Sequence, residues 1–448
     1  GRDFRHSRPH RAQDAQIVFD EVLGEAPVKT VLIQLLEHME KGFVRQVAPH
    51  SGGWVLSRYP LSSYSPQEYS TGGLRCLQFD KDDVEALGLM KLDLLGLRML
   101  GVFERAREEI IRTEQTFVDC YNPPDEPEVW TTIQSGDTMA LFQIESPAQV
   151  RMTVQLKPEN KQDLKDQVAL VRPGPIQSGS VHPYTRRRRK REAVSYPHPA
   201  LEPILERSYG VLLYQEQVMA VAHHFAGFGW EDADKFRKKV STFEDEADIA
   251  ETRKRFIEGA AHNVGATEEG AIHIFNLCAS FRGYGFAESH AWAFGLHAYT
   301  SAWLRHYYPA EYLSGVMNEQ PGMYSASTLR QEARRFGVGF ARLNINRSGF
   351  QYFVEKTSHG KRLRPPLSAV KGVSTDVAKQ LVLERMTRGP YQSLKDLFER
   401  IALDRDVLEA LDRAGAFSRL VDRREGLYQV GVLAQQAQPG QQSLFSPE

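Results

Sequence analysis

Cysteine is scarce in this chain: 448 residues carry three, Cys76, Cys120 and Cys278, far apart and without a CxxC pair. That spacing excludes a disulfide scaffold and a cysteine-built zinc site, and it fits free thiols in a reducing compartment. No apolar run approaches the ~20 residues a membrane-spanning helix needs, so a membrane partner is not expected. Net charge is nearly absent, −1 from 56 basic and 57 acidic side chains, so any polarity must be local. The amino terminus, Gly1 to Arg8, has neither the apolar core of a signal peptide nor an initiator Met. A start inside a larger protein, or a trimmed one, is the expectation. With 41% hydrophobic residues the chain reads as soluble and globular. Its length exceeds one ordinary core and predicts about two to four domains.

What is present first is an unusual run, Gly88-Leu89-Met90-Lys91-Leu92-Asp93-Leu94-Leu95-Gly96-Leu97, with one acid and one base among apolar residues. As a strand, it turns Lys91 and Asp93 to one face and Met90, Leu92 and Leu94 to the other. A carboxylate in an apolar setting needs a cation, a metal or hydrogen-bond donors. Asp93 can equally N-cap the periodic segment that follows, Leu94 to Ile111. Both readings stand on these ten residues.

The texture of the chain changes along its length. Val28, Val31, Leu32, Leu35, Leu36 and Met39 recur at helical spacing. From Val47 to Asp80, glycines and prolines punctuate short runs such as Trp54-Val55-Leu56 and Leu74 to Phe79, which predicts strands and loops. Beyond Leu94 helical periodicity dominates: Glu104 to Arg112, Asp163 to Val171, Gln215 to Phe225, Asp232 to Val240, Ala247 to His262, Glu268 to Phe281 and Ser289 to Tyr307. Alternation in Phe350-Gln351-Tyr352-Phe353 predicts a strand, and small helices return from Leu367 to about Leu433. The tail from Ala434 is rich in Gln and Pro without periodicity.

Several stretches have chemistry worth weighing. In His50-Ser51-Gly52-Gly53 the GxSxG spacing of a nucleophilic Ser is absent, and a turn with close backbone approach fits better. Gly136 to Ser146 has no ligand or nucleotide-loop spacing and reads as structural. Arg172, at the corner Val171-Arg172-Pro173-Gly174-Pro175, has few backbone states and suits phosphate recognition. The densest charge is Arg186-Arg187-Arg188-Arg189-Lys190-Arg191, a sequence-independent contact for a nucleic-acid backbone or a solvated surface run. On one helix, Arg237 and Lys238 lie roughly 100° apart, a fork and a point charge able to hold a polyphosphate, or simply an exposed face. Lys371, Gly372 and Ser374, in Leu367 to Ser374, resemble a helix-hairpin-helix turn that offers backbone N–H groups to a DNA phosphate.

In this order the segments resemble the bacterial C-family DNA polymerases, the alpha subunit of DNA polymerase III and its relatives, from about residue 45 to the end. The resemblance rests on His50 to Gly53, Gln78 to Asp83, Gly88 to Leu97, Gly136 to Ser146, Arg172 to Pro175, Tyr209-Gly210, Tyr214 to Met219, and Gly283 to Phe286 with Ser289-His290. Met317 to Pro321, with Tyr324-Ser325, is more similar to the error-prone repair branch.

The resemblance implies an α+β fold, mostly α. It divides the chain into the end of a thumb (1–45), the second half of a palm (46–97), fingers (98–355), a helix-hairpin-helix region (356–433) and a tail (434–448). It implies template-dependent nucleotidyl transfer with two Mg²⁺ ions, error-prone and acting in DNA repair. Asp93 is then one of three catalytic, metal-binding carboxylates, and Lys91, Arg237, Lys238 and Arg172 hold nucleotide phosphates. Arg186, Arg187, Arg188, Arg189, Lys190, Lys371, Gly372 and Ser374 contact DNA. Gln441, Leu444 and Phe445 resemble the short motif that holds a sliding clamp. The implied partners are primer-template DNA, deoxynucleoside triphosphates, the clamp and further repair-polymerase subunits, in the cytoplasm at the nucleoid.

The departures are as informative. The Pro-Asp-x-Asp-x-Asp segment that carries the first two carboxylates is missing, as is the phosphoesterase-like domain. Lys238 stands where relatives more often carry Arg. Glu288 stands where relatives usually place Lys. The sequence alone therefore also allows a DNA- and clamp-binding remnant or split subunit without catalysis.

Overall fold

A computed structural model of the chain describes residues 31–32, 34–35, 49–70, 72–172, 181–242, 246–280 and 286–436. The backbone divides into two compact units, one ending at Leu97 and the other beginning at Arg98.

The first unit carries the strands predicted from the punctuated runs. β1 (Gly53–Leu56) pairs antiparallel with β4 (Met90–Asp93), and β2 (Gln67–Tyr69) with β3 (Arg75–Leu77). In the first pair Gly53 lies opposite Asp93, Trp54 opposite Leu92, Val55 opposite Lys91 and Leu56 opposite Met90. Alternation therefore gathers Trp54, Leu56, Met90 and Leu92 on one face and Lys91 and Asp93 on the other. The apolar composition of the run does not bury it. Trp54 is 55% and Met90 61% exposed, because among the described residues the sheet has two strands.

Between the strand pairs runs the helix Lys81–Ala86. Asp80 accepts hydrogen bonds from the N–H groups of Asp82 and Asp83, and Asp83 accepts from Asp80 N–H, a reciprocal capping box. The acidic cluster Asp80-Lys81-Asp82-Asp83 thus starts a helix. Asp93 does not: the following helix, Arg98–Glu114, opens five residues later, which overturns the capping alternative.

The second unit is mainly helical, and with one small sheet among the described residues it makes the fold α+β and mostly α. Its first core joins Arg98–Glu114 to Glu288–Tyr307 and Pro309–Glu319 through Phe103, Ile110, Tyr299, Leu304 and Leu313. A second core is built on stacked and edge-on rings, Phe225, Phe228, Phe236, Phe256 and Phe275. A third, with Leu367, Leu381, Leu397, Leu411 and Phe417, holds the carboxy-terminal helices.

In the sheet, β7 (Gly360–Arg364) lies between β5 (Gly339–Phe340), parallel to it, and β6 (Phe353–Thr357), antiparallel. The strand predicted over Phe350 to Phe353 begins only at Phe353. Tyr352 is diverted from the ladder. Its N–H donates to Asn318 Oδ1 (2.8 Å), and its carbonyl accepts from Ser314 Oγ (3.0 Å) and Asn318 Nδ2 (2.8 Å).

Two segments carry tension between sequence and fold. In the helix Lys161–Leu170 every residue from Asp163 to Leu170 is buried, charged ones included. Helix Glu288–Tyr307 presses on it so closely that a Cβ on Gly295 would stand 2.8 Å from Lys165 N. In Gly136 to Ser146, Ala140 (φ 58°) and Gln143 (φ 64°) adopt the left-handed conformation that L side chains disfavour. Phe142 N–H donates to Ser301 Oγ (3.0 Å), Tyr312 O–H to Ala140 O (2.5 Å) and Arg305 to Met139 O (2.7 Å), which hold the segment in place. The structural reading of this stretch agrees with that geometry.

His297 packs near Phe103 and Phe142, and burial pushes its pKa below the ordinary imidazole value. The unfolded chain then binds the proton more tightly, so stability falls as pH drops below about 6.5. His297→Phe removes that loss. The thermal midpoint of the wild type should fall further between pH 7.5 and 5.5 than that of the variant; parallel curves would exclude His297 as a source.

Candidate nucleic-acid interface

At the end of β4, Lys91 Nζ lies 3.1 and 3.0 Å from the two carboxylate oxygens of Asp93, as the alternation predicts. Asp93 is 59% exposed, so the pair is a surface one. The sequence reading missed its neighbour, His50. Gly52 N–H donates to His50 Nδ1 (3.1 Å), which puts the imidazole proton on Nε2. The same Nδ1, 3.7 Å from Asp93 Oδ1, therefore meets the carboxylate with a lone pair. The glycine pair explains the close approach. A Cβ on Gly52 would meet Leu94 O at 2.9 Å, and one on Gly53 would meet the His50 ring at 3.0 Å.

This donor set can be tested against the magnesium that the resemblance implies. Mg²⁺ asks for a near-octahedral shell of oxygens at about 2.0–2.1 Å. Here one carboxylate is present, chelated by an ammonium. Among the described residues no group of three or more His, Cys, Asp or Glu could hold a metal. The residues present do not by themselves fit a magnesium site.

In the second unit Arg237 and Lys238 share one helix, and a chain of contacts through Gln215 and Phe286 connects Arg237 to Arg172. Helix Trp230–Thr242 carries Asp234, Arg237 and Lys238 at helical spacing. Arg237 donates through Nε (3.0 Å) and Nη2 (2.7 Å) to Asp234 Oδ1, and Lys238 Nζ lies 3.4 Å from Oδ2. The Arg237 hydrogen bond, with the charges of Arg237 and Lys238, holds the Asp234 carboxyl below its ordinary pKa. Arg237 Nη1 also reaches Gln215 Oε1 (3.4 Å), and Gln215 N–H donates to Phe286 O (3.0 Å). On the Phe286 ring lies Arg172, its guanidinium carbon 3.6 Å from the centroid.

Arg172 is the more telling cation. It is half-buried, and desolvation lowers its pKa. Among the described residues it has no carboxylate partner, and the ring face offers its N–H edges nothing to bond. The imidazole of His290 packs edge-on to Phe286 (5.1 Å), its pKa lowered by burial and by the Arg172 charge. A desolvated guanidinium with open donors is the chemistry of an anion site. Gln215 and Phe286 were quoted in the sequence only as parts of longer matches. Neither spacing nor charge marks them as the link between Arg172 and Arg237. Residues 173–180 and 281–285, which include Pro173 to Pro175 and Gly283 to Gly285, lie outside the described residues.

The basic run is divided by the fold. Helix Val181–Arg188 ends within it. Arg186 and Arg187 share Glu192 (2.7 and 2.9 Å), and Arg187 also donates to Tyr209 O (3.0 Å). Arg188 grips Asp163 with two hydrogen bonds, from Nε (2.7 Å) and Nη2 (2.5 Å). Arg189, Lys190 and Arg191 make no ion pair among the described residues, and Lys190 turns the chain in the left-handed region (φ 53°). A row of six equal cations is thus three with a carboxylate partner and three without one among the described residues.

In the carboxy-terminal region Gly372 has φ 94° with open space where a Cβ would be, and Lys371 is exposed. Ser374 N-caps helix Thr375–Arg388 by accepting from Val377 N–H (3.2 Å), so the hairpin's second turn position serves as a cap. Gln441, Leu444 and Phe445 lie outside the described residues. Among the described residues no helix is long and apolar enough to cross a membrane.

Comparison with known proteins extends these observations. Residues 9–96 match the bacterial DNA polymerase III alpha NTPase domain, 99–264 the bacterial DNA polymerase III alpha subunit finger domain, and 337–427 a helix-hairpin-helix motif. The chain is 39% identical over 398 residues to the error-prone DNA polymerase of Corynebacterium efficiens, covering 88% of this chain and 36% of that protein. It is 37% identical over 423 residues to the error-prone DNA polymerase of Methylococcus capsulatus (90% and 40%), and 39% over 427 residues to that of Symbiobacterium thermophilum (90% and 38%). It thus spans a little over a third of the length of the curated relatives it matches. With the DNA polymerase III alpha NTPase-domain and finger-domain models and the helix-hairpin-helix model matched in order, and with these relatives, the chain belongs to the bacterial C family of DNA polymerases, on its error-prone branch.

Proposed function

We propose that this chain is the primer- and nucleotide-holding part of an error-prone DNA polymerase that performs template-directed nucleotidyl transfer in DNA repair. The observation that carries the reading is the Lys91–Asp93 pair on one face of β4, with both carboxylate oxygens directed at a cation. Asp93 supplies one carboxylate of the catalytic centre, and Lys91 stands beside it for the triphosphate. Arg172, Arg237 and Lys238 hold the phosphates of the incoming deoxynucleotide. The magnesium pair belongs, on this reading, to the completed polymerase rather than to this chain's residues alone. The segments 1–45, 46–97, 98–355 and 356–433 are assigned to thumb end, half-palm, fingers and helix-hairpin-helix region. Gln441, Leu444 and Phe445 are assigned to a sliding clamp, and further repair-polymerase subunits join the same assembly at the nucleoid.

A second reading, a DNA- and clamp-binding module without catalysis, is favoured by the donor set around Asp93, which is one carboxylate deep. Both readings require a DNA-backbone contact. In the first, Arg189, Lys190 and Arg191 join the Lys371-Gly372 hairpin in holding the duplex. Each phosphate neutralised adds about 0.9 to the slope of log affinity against log salt. Replacing Arg189, Lys190 and Arg191 with Gln should flatten that slope for a labelled primer-template by about 2.7. Replacing Arg187 should instead cost stability, through its bonds to Glu192 and Tyr209. An unchanged slope in the triple variant would remove the basic run from the interface. Salt-insensitive binding by the unaltered chain would remove the electrostatic reading altogether.

A further inference from the structure

We infer that Lys165 is a positioning residue for the anion-binding cations: through Glu288 it fixes the short segment on which Arg172 is stacked and to which the acceptor of Arg237 is bonded. This rests on the reading of Arg172 and Arg237 as phosphate-binding groups.

Lys165 lies in the helix Lys161–Leu170 with its side chain buried. Its ammonium is 2.7 Å from Glu288 Oε1 and 3.1 Å from Asp166 Oδ1, and it faces the rings of Tyr214 (4.6 Å) and Trp292 (5.3 Å). Asp166 has other partners: Tyr184 O–H donates to Oδ2 (2.7 Å) and Tyr214 O–H to Oδ1. Glu288 receives its buried cation from Lys165, with Arg207 (3.2 Å) at the more exposed end. Its own N–H donates to Glu216 Oε2 (2.9 Å).

The segment Phe286 to Glu288 is therefore tied at three points. Phe286 O is bonded to Gln215 N–H, Glu288 N–H to Glu216, and the Glu288 carboxylate to Lys165. Two of the proposed phosphate cations touch it, Arg172 by lying on the Phe286 ring and Arg237 through Gln215 (3.4 Å). Arg172 is seven residues beyond Lys165 and follows the same helix. The helix and the residues just after it thus meet the segment with two cations, Lys165 in a buried ion pair and Arg172 without a carboxylate partner among the described residues.

Energetics distinguishes positioning from packing. Replacing both sides of a buried ion pair with apolar residues of like volume often holds a core as well, whereas removing one side leaves a buried charge unpaired. A methionine at 165 would fill the same channel between the helices. It could not set where the Glu288 carboxylate sits, nor through it the angle of the Phe286 ring under Arg172.

The test uses the whole chain and inorganic tripolyphosphate, with affinity and thermal midpoint measured on each variant. Lys165→Met leaves the Glu288 and Asp166 carboxylates without their buried cation, so its midpoint should fall, and its affinity is read only at temperatures where it is fully folded. Its tripolyphosphate affinity should fall about tenfold, the size usual when a supporting partner of a binding group is removed. Glu288→Gln, which keeps shape, should do the same, and the double variant should be no weaker than either single one, because one bond is being broken. Affinity unchanged in both single variants, with Arg172→Ala still abolishing binding, overturns the positioning role and leaves the phosphate reading intact. Unchanged affinity in Arg172→Ala overturns that reading and this inference with it. Should Lys165→Met not fold, Glu288→Gln alone decides.

Discussion

Asp93→Asn is expected to reduce primer extension on the order of a thousandfold in the completed polymerase, the scale seen when a preorganised charge facing a transition state is removed. The substitution keeps the shape of the side chain and removes its charge. Asp93 is exposed and its partner Lys91 sits at the surface, so the fold loses at most about 1 kcal/mol. Affinity for primer-template should stay nearly unchanged, since Asp93 contributes negative charge rather than a phosphate contact. The measurement is single-turnover extension by this chain supplied with the remaining length of a relative polymerase, beside the chain alone. Extension by the chain alone would show that its own residues complete a catalytic centre. Full activity in the variant would return Asp93 to a structural role.

Arg305→Ala is expected to cost about 3–5 kcal/mol, the range for breaking a buried ion pair from one side. The side chain is 1% exposed, and burial lowers its pKa. It donates to Met139 O (2.7 Å) and Asp137 O, stands 3.5 Å from Glu332 Oε1, and lies over Phe336. Truncation leaves two carbonyls without their donor and the buried Glu332 with only Arg335 beside it. It also releases a segment with two left-handed residues, Ala140 and Gln143, each of which costs about 1–3 kcal/mol unless its surroundings hold it. Chemical denaturation gives the total, and amide exchange over residues 137–146 shows whether the loss begins there. A loss below about 1 kcal/mol would assign the segment's hold to Ser301 and Tyr312 instead.

Much of this arrangement is legible in the chain. Period-two alternation puts Lys91 and Asp93 on one face because strand geometry allows nothing else. Helical periodicity finds the long finger helices because their apolar stripes face one core each. The same reasoning fails where a residue's partner lies far away in sequence. Apolar composition around Asp93 suggests burial, yet among the described residues one other strand pairs with it. Phe350 to Phe353 alternates like a strand, yet Asn318 and Ser314 take the Tyr352 peptide groups. Six basic residues in a row look equivalent, until Asp163, Glu192 and Tyr209 claim three of them. Lys165 in a helix looks like a surface residue, since nothing nearby announces the Glu288 carboxylate 123 positions on.

The exposed face of the β1–β4 pair has a colloidal consequence. Trp54, Leu56, Met90 and Leu92 make a patch that water wets poorly, flanked by strand edges whose peptide groups are unpaired among the described residues. A net charge of −1 supplies almost no long-range repulsion between molecules. In a concentrated solution of this chain the nearest cover for one such patch is the same patch on another molecule. Self-association through this strand pair is therefore the expected behaviour as concentration rises, and sedimentation over a range of concentrations checks it.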